Sequence, residues 1–185
     1  MARVFVITGP SGVGKGTLIR SLLERLPDLE LSVSATTRKP RPGEVHGADY
    51  WFLTADDFDR EVAGGGFVEW AEYSGNRYGT LRRELDERTA RGVPVVLEIE
   101  VQGARQVRET MPEAIQIFIA PPSVEALRAR LVGRGTDDAE SVDRRLAVAE
   151  HELEAQPEFH HVVVNDRLED AVAELERIVR ATLGG

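Results

Sequence analysis

A glycine-rich segment near the start of the sequence could bind the phosphates of a nucleoside triphosphate. It reads Gly-Pro-Ser-Gly-Val-Gly-Lys-Gly-Thr and follows the apolar run Val4-Phe5-Val6-Ile7. Glycines let main-chain N–H groups curl around an anion, a following helix directs its positive end there, and Lys15 could reach the terminal phosphates. The alternative is a strand-to-helix turn that binds nothing. The residues assigned to this site are Gly9, Pro10, Ser11, Gly12, Val13, Gly14, Lys15, Gly16 and Thr17.

The position after the lysine departs from the usual form of this motif. A Ser or Thr normally stands there and its hydroxyl binds Mg²⁺, whereas this chain has Gly16, with Thr17 one residue later. Because glycine has no side-chain ligand, we expect Mg²⁺ to be held by phosphate oxygens and water, with no direct protein ligand.

A second phosphate site is indicated by three cations within four positions, Arg38, Lys39 and Arg41. The planar fork of arginine suits a phosphate. Neighbouring prolines limit backbone freedom, so we expect the guanidinium groups to be held ready rather than paired with an acid. The alternative is a solvated basic loop, but a separate triphosphate site in the same chain favours the second phosphate site.

Glu69 lies within the aromatic stretch Phe67–Tyr73, where a carboxylate needs a partner. A carboxylate accepts from two adjacent donors, and the N1–H and exocyclic amine of guanine supply such a pair, whereas adenine has no equivalent edge. The alternative is an edge-strand residue that points at water.

Two further carboxylates, Glu98 and Glu100, follow the apolar run that begins at Val95. Residues at the carboxyl ends of parallel strands project into the crevice where open α/β sheets bind ligands. There they could guide Mg²⁺ or bind a base or an arginine; the alternative is a solvated strand end.

The polar, glycine-flanked residues 133–138 suit a mobile lid. Arg134 within it, and Arg145 about three helical turns later, could stabilise charge on a transferring phosphoryl group. The alternative is that they are ion-pair partners on acidic helices. The four histidines show no metal-binding spacing and are assigned no role.

The apolar runs predict the elements that position these residues. Val4–Ile7, Val95–Ile99, Ile115–Ala120 and Val162–Val164 have the composition of buried parallel strands. Helical patterns over 18–26, 142–153 and 168–183 alternate with them. The sequence therefore predicts an α/β fold, with three layers in which helices flank a parallel sheet.

Residues 34–80 interrupt this alternation and predict an inserted subdomain. Short strands are expected at Tyr50–Leu53 and Phe67–Tyr73, with a helix that begins after Thr54. The predicted division of the chain is a core of residues 1–33, 81–132 and 156–185, the subdomain of residues 34–80, and a lid with its adjoining helix at 133–155.

Composition excludes several classes of function. The 185 residues have a net charge of −9, which disfavours a nucleic acid partner. The absence of cysteine excludes disulfides and thiolate catalysis, and no apolar run is long enough to span a membrane. We expect a cytoplasmic location and no obligatory protein partner.

The order of these motifs resembles the guanylate kinase family over residues 4–183, nearly the whole chain. The resemblance rests on Gly-Pro-Ser-Gly-Val-Gly-Lys, Ser-Ala-Thr-Thr-Arg-x-Pro-Arg-Pro-Gly-Glu, Phe-Val-Glu-Trp, Gly-Asn-x-Tyr-Gly-Thr, Val-Gln-Gly, Gly-Arg-Gly-Thr and Val-Asn-Asp. It implies a nucleoside monophosphate kinase fold with a P-loop core, a GMP-binding subdomain and a lid. The implied reaction transfers the γ-phosphoryl group of ATP to GMP with Mg²⁺, giving ADP and GDP, and dGMP is a further expected acceptor.

The resemblance also implies roles for individual residues. Those that would hold the GMP phosphate are Arg38, Arg41, Tyr50 and Tyr78. Those that would read guanine are Ser34, Glu69 and Thr80. Those that would neutralise the ATP phosphates are Lys15, Arg134 and Arg145. Asn165 matches a position near the adenine or the lid arginines. Glu98 and Glu100 are assigned to the GMP site, although the family usually has Asp-x-Asp there and glutamate reaches one methylene further.

Two other functions stay open from the sequence. Guanylate-kinase-like domains of scaffold proteins bind proteins without catalysis, but they typically lose the phosphate-contacting lysine and arginines that this chain retains. A kinase for another acceptor, such as AMP, UMP or dTMP, would share the fold and differ in its contacts to the base.

Overall fold

Strand β1 (Val4–Thr8) is the central strand of a five-stranded parallel sheet in the computed structural model, which describes residues 3–73, 75–132 and 139–184. All five of its residues are buried, as expected for an apolar run with both faces of the sheet covered. The strands of this sheet, in spatial order, are β2 (Glu30–Leu31), β7 (Val95–Glu98), β1, β8 (Ile115–Ala120) and β9 (His161–Val164).

Helices cover both faces of this sheet and confirm the predicted three-layer α/β fold. The helices whose apolar side chains form the core on one face are α1 (Lys15–Arg25), α5 (Val124–Val132), α6 (Ala139–Leu153) and α7 (Leu168–Leu183). Those on the other face are α3 (Arg82–Ala90) and α4 (Val101–Thr110), with a short 3-10 turn at Gln156–Glu158. Within the described ranges, no helix is both long and apolar enough to cross a bilayer.

A second sheet of four strands is formed by residues between 35 and 81. Its strands, in spatial order, are β4 (Trp51–Phe52), β3 (Ala35–Thr36), β6 (Asn76–Leu81) and β5 (Phe67–Tyr73). Helix α2 (Ala55–Ala63) places Phe58 against Phe67, with ring centroids 4.4 Å apart, in a small separate core. The division of the chain into core, subdomain and lid at the stated bounds stays a prediction, and residues 133–138, with Arg134, lie outside the described residues.

The ends of the elements follow local chemistry. The Thr54 hydroxyl accepts the N–H of Asp57 at 3.1 Å, so α2 begins where the sequence predicts. Two strands are shorter than predicted, because β7 ends at Glu98 and β4 contains only Trp51–Phe52. The two-residue strands β2 and β3 are too short for any periodic pattern to indicate them.

Candidate active site

The glycine-rich segment runs from the end of β1 into α1 and forms a tight loop. Gly9 has φ +150°, and a Cβ there would lie 2.3 Å from the Ile119 carbonyl oxygen, so only glycine fits against β8. The Asn165 side-chain amide donates to the Val13 carbonyl oxygen at 2.8 Å. Asn165 thus fixes the loop from the end of β9.

The loop borders a cavity of about 490 Å³, called here the loop cavity. Lys15 is 9% exposed, and its ammonium group donates to the carbonyl oxygen of Gly9. Arg145, on α6, lies with a guanidinium nitrogen 3.4 Å from the Ser11 hydroxyl. The predicted residues that line this cavity are Pro10, Ser11, Gly12, Gly14, Lys15, Gly16, Thr17, Glu98, Glu100 and Arg145.

Sequence reasoning missed Glu152, a half-buried residue of α6 that also lines the loop cavity. Its carboxylate accepts the main-chain N–H of Ser11 at 3.3 Å. Burial, and then contact with the Glu100 carboxyl group, raise the pKa of Glu152. The available signal was helical spacing, because Glu152 lies seven residues after Arg145 and so on the same face of α6.

A second cavity, called here the sheet cavity, lies beside the four-stranded sheet and has a volume of about 400 Å³. Tyr73, Glu98 and Glu100 line both cavities, so the two meet at the carboxyl end of β7. Tyr73 was not predicted; it is an exposed aromatic residue at the end of β5. The predicted residues that line the sheet cavity are Ser34, Tyr50, Glu69, Tyr78, Glu98 and Glu100.

Glu69 is 5% exposed, which rules out the alternative of a residue pointing at water. A register shift between Phe67 and Glu69 interrupts the pairing of β5 with β6, and three consecutive side chains of β5 are buried there. The Thr80 hydroxyl donates to Glu69 Oε1 at 2.7 Å. Burial raises the pKa of Glu69 to about 7, although the Thr80 contacts oppose this shift.

Helix α4 fixes the position of Glu69 from the other side. The Gln106 side-chain amide accepts the main-chain N–H of Trp70 at 3.0 Å and donates to the Trp70 carbonyl oxygen at 2.7 Å. Gly103 lies one turn earlier on this helix, and a Cβ there would be 2.6 Å from Glu69 Oε2. The glycine therefore leaves the space that the carboxylate occupies.

The prediction that proline would keep Arg38 apart from an acid is wrong. Two guanidinium nitrogens of Arg38 donate to the two carboxylate oxygens of Glu44, at 3.0 and 2.8 Å. The Glu44 N–H donates to the Arg41 carbonyl oxygen, and this turn brings the acid back beside Arg38. Glu44 raises the pKa of Arg38 and Arg38 lowers the pKa of Glu44, so both groups stay charged.

The two arginines of the basic segment differ in their surroundings. The Arg38 guanidinium carbon lies 5.2 Å from the ring centroid of Tyr50, which is 6.2 Å from that of Tyr78. Arg38 thus reaches the border of the sheet cavity through Tyr50. Arg41 is exposed, lines neither cavity, and contributes its main-chain N–H to Glu44 at 2.7 Å.

A third cavity lies on the other side of the glycine loop, between the loop and the start of α7. Arg130 on α5 donates to the Asn165 carbonyl oxygen at 2.7 Å and was not predicted. Of the predicted residues, Asn165 and Val13 line this cavity and not the loop cavity.

Comparison with known proteins gives one family throughout. A family model described as guanylate kinase matches residues 1–182. The guanylate kinase of Synechococcus sp. (strain CC9311) is 58% identical over 183 residues, covering 99% of this chain and 96% of that protein. The guanylate kinase of Streptomyces coelicolor is 53% identical, covering 94% and 88%. A crystal structure of guanylate kinase from Anaplasma phagocytophilum matches with a TM-score of 0.77 and 35% identity, covering 98% of this chain and 86% of that one.

Proposed function

Because the chain belongs to the guanylate kinase family, whose members phosphorylate GMP with ATP, we propose that its loop cavity binds the ATP polyphosphate and its sheet cavity binds GMP. The chain is an ATP:GMP phosphotransferase. The observation that supports the division of substrates is the shared wall of Tyr73, Glu98 and Glu100, where the cavities meet. Two phosphates bound on either side of this wall would face each other for transfer.

In this proposal guanine is read by Glu69, with Ser34 and Thr80 beside it. The Glu69 carboxylate has one oxygen bound to Thr80 and lies among apolar neighbours, so it gains when two N–H donors enter the cavity. Guanine supplies two such donors on one edge. AMP offers no equivalent pair, and a buried carboxylate left without donors would penalise its binding.

The GMP phosphate would bind Arg38, Arg41, Tyr50 and Tyr78. A guanidinium group has five N–H donors, so Arg38 can hold Glu44 and a phosphate at the same time. Arg41, which is exposed at the edge of the same turn, would have to reorient toward the phosphate. On the ATP side the neutralising cations would be Lys15, Arg145 and Arg134, and Asn165 would lie near the adenine.

Magnesium fits this site only as an ion that accompanies the nucleotide. In the part of the chain that the structure describes, no three His, Asp or Glu side chains are grouped so as to hold a metal ion. Mg²⁺ commonly keeps several waters and binds substrate phosphates, so we assign no residue as its ligand. When bound, it would neutralise charge on the phosphate oxygens.

The chemistry requires positioning and charge neutralisation rather than a general base. The attacking group is a phosphate oxygen of GMP, which is largely ionised at neutral pH because its second pKa is about 6. The main obstacle is the repulsion between two polyanions. Lys15 and the arginines would reduce that repulsion as the γ-phosphoryl group passes between them.

A coupled assay of ADP release tests this function directly. With ATP and Mg²⁺, we expect ADP to form with GMP and dGMP and not with AMP, UMP or dTMP. A scaffold domain would release no ADP with any acceptor. A kinase for another acceptor would prefer one of the last three.

The pH dependence of GMP binding is expected to report Glu69. Guanine's donors bind the ionised carboxylate, so binding releases a proton wherever Glu69 is protonated in the free protein. Since the pKa of free Glu69 is about 7, GMP affinity should rise with pH up to about 7 and level off above it. Calorimetric titration of GMP from pH 5.5 to 8.5 measures this. Ionisation of the GMP phosphate acts in the same direction, so Glu69→Gln supplies the baseline; identical profiles for the two proteins would contradict the assignment.

Gly103→Ala is expected to impair GMP use without destabilising the fold. The new Cβ would lie 2.6 Å from Glu69 Oε2 and push the carboxylate from its position, which we expect to lower kcat/KM for GMP by about 100-fold. Alanine favours the helix by about 0.5–1 kcal/mol relative to glycine, so the melting temperature should change little. Glu109→Ala, on an exposed position of the same helix, is the matched control. An unchanged kcat/KM in Gly103→Ala would show that the position of Glu69 is not critical.

A further inference from the structure

Glu152 introduces a negative charge into the cavity that is proposed to bind a polyphosphate. Its Oε2 lies 3.3 Å from the main-chain nitrogen of Ser11, and Ser11 belongs to the loop whose N–H groups would cradle the phosphates. A main-chain N–H can donate well to only one acceptor at a time. The Glu152 carboxyl group and an incoming phosphate therefore compete for the same donor.

The charges around Glu152 come from four elements. Those that line the cavity with it are Lys15 and Arg20 on α1, Glu98 on β7, Glu100 at the start of α4, and Arg144 and Arg145 on α6. The uncharged Tyr73 closes the side toward β5. Burial and hydrogen bonding to the Glu100 carboxyl group raise the pKa of Glu152, while Lys15 and the Ser11 N–H act in the opposite direction.

Two carboxyl groups hydrogen-bond to each other only when one of them is protonated. Glu100 and Glu152 therefore behave as a pair that can share one proton. When this pair has lost its proton, it repels an entering phosphate. When it holds the proton, one negative charge is removed from the cavity and the hold of Glu152 on Ser11 weakens.

We propose that Glu152 is a positioning residue of the loop cavity, and that binding of the nucleotide phosphates is coupled to uptake of one proton by the Glu152–Glu100 pair. This inference rests on the proposed binding of the ATP polyphosphate in the loop cavity. The proton comes from solvent and lies on a carboxyl oxygen between the two residues. It frees the Ser11 N–H for a phosphate oxygen, and it returns to solvent when the nucleotide leaves.

The sign of the effect follows from linkage. An entering polyanion stabilises the protonated form of a neighbouring carboxyl group, so the bound state holds more protons than the free state. Affinity for the nucleotide then falls as pH rises, by up to about tenfold per pH unit when one proton is fully coupled.

Calorimetry of ADP binding at pH 8, without Mg²⁺, measures the coupled proton. The slope of the observed enthalpy against the ionisation enthalpy of the buffer gives the number of protons taken up. We expect the wild type and Glu150→Gln, an exposed glutamate on the same helix, to take up several tenths of a proton more than Glu152→Gln. The ionisation of ADP is common to all three proteins and cancels in the comparison. Glu152→Gln should also bind ADP about three- to tenfold more tightly than the wild type at pH 8, with the difference lost at pH 6.

Equal proton uptake by the wild type and Glu152→Gln would overturn the proposal, as would weaker ADP binding by Glu152→Gln at pH 8. If the glutamine variant does not fold, Glu152→Ala carries the same expectations, and the absence of proton uptake in the wild type alone would refute the coupling. A wild type that binds no ADP would instead refute the proposed role of the loop cavity. Normal ADP affinity without a linked proton would refute only the role of Glu152.

Discussion

Replacing Lys15 by alanine is expected to lower the turnover number by about three orders of magnitude or more. Lys15 is 9% exposed, and its ammonium group lies within the glycine loop, donating to the Gly9 and Pro10 carbonyl oxygens. Electrostatic stabilisation is strong where water is excluded, and cations that neutralise a transferring phosphoryl group contribute about 10³-fold or more. Initial rates with saturating ATP and GMP measure the loss.

The fold should tolerate this change, because the loop is also fixed by Asn165 and by the packing of Gly9 on β8. Thermal unfolding of Lys15→Ala checks this. Arg177→Ala removes one positive charge from an exposed pair on α7 and lines neither cavity, so it controls for the change in net charge and should keep wild-type turnover. A folded Lys15→Ala protein with near-normal turnover would remove the glycine loop from the proposed mechanism.

The features that the sequence indicated well are those in which a short segment contains its own cause. The apolar run of β1 requires burial on both faces, and the following glycines permit the tight loop, so strand, loop and helix follow in order. Thr54 caps α2 through a residue only three positions away. The alternation of strands and helices was sufficient to predict the parallel sheet and its two helical layers.

The features that the sequence did not indicate depend on contacts between distant segments or on a local competition. Glu152 meets Ser11 across 141 positions of the chain, and Glu69 meets Gly103 only because Gln106 fastens β5 to α4. Neither contact has a periodic signal. Arg38 illustrates the second case: its segment was expected to hold the cation apart from any acid, but a turn of six residues brings Glu44 within hydrogen-bond distance.

Glu69→Gln is expected to lower kcat/KM for GMP by about 10³-fold while leaving ADP affinity unchanged. The glutamine amide group would face the two guanine donors with one acceptor and one donor, so one N–H of the base would lose its partner and meet another N–H. A site built to hydrogen-bond a substrate group discriminates by about 10⁴ or more when that pairing is lost, and the remaining amide oxygen retains part of the interaction. Kinetics with GMP and calorimetry with ADP separate the two effects.

Inosine monophosphate, which keeps N1–H and lacks the exocyclic amine, distinguishes base reading from a structural role. The wild type should strongly prefer GMP over inosine monophosphate, and Glu69→Gln should lose most of that preference. Glu72→Gln, an exposed change on the same strand, should keep it. A variant whose preference for GMP is intact would show that the carboxylate does not read the amine.

Stability is expected to change in the opposite direction to activity. Burial raises the pKa of Glu69 from 4.5 to about 7, so the folded state binds this proton more tightly than the unfolded chain does. The contribution of Glu69 to the free energy of unfolding therefore falls as pH rises from about 4.5 to about 7 and stays low above that range. Glutamine cannot ionise, and its oxygen can still accept from Thr80, so Glu69→Gln should melt at or above the wild-type temperature at pH 8. A variant that is at least as stable as the wild type and nearly inactive toward GMP would identify the buried charge as a cost to folding that is recovered when guanine binds.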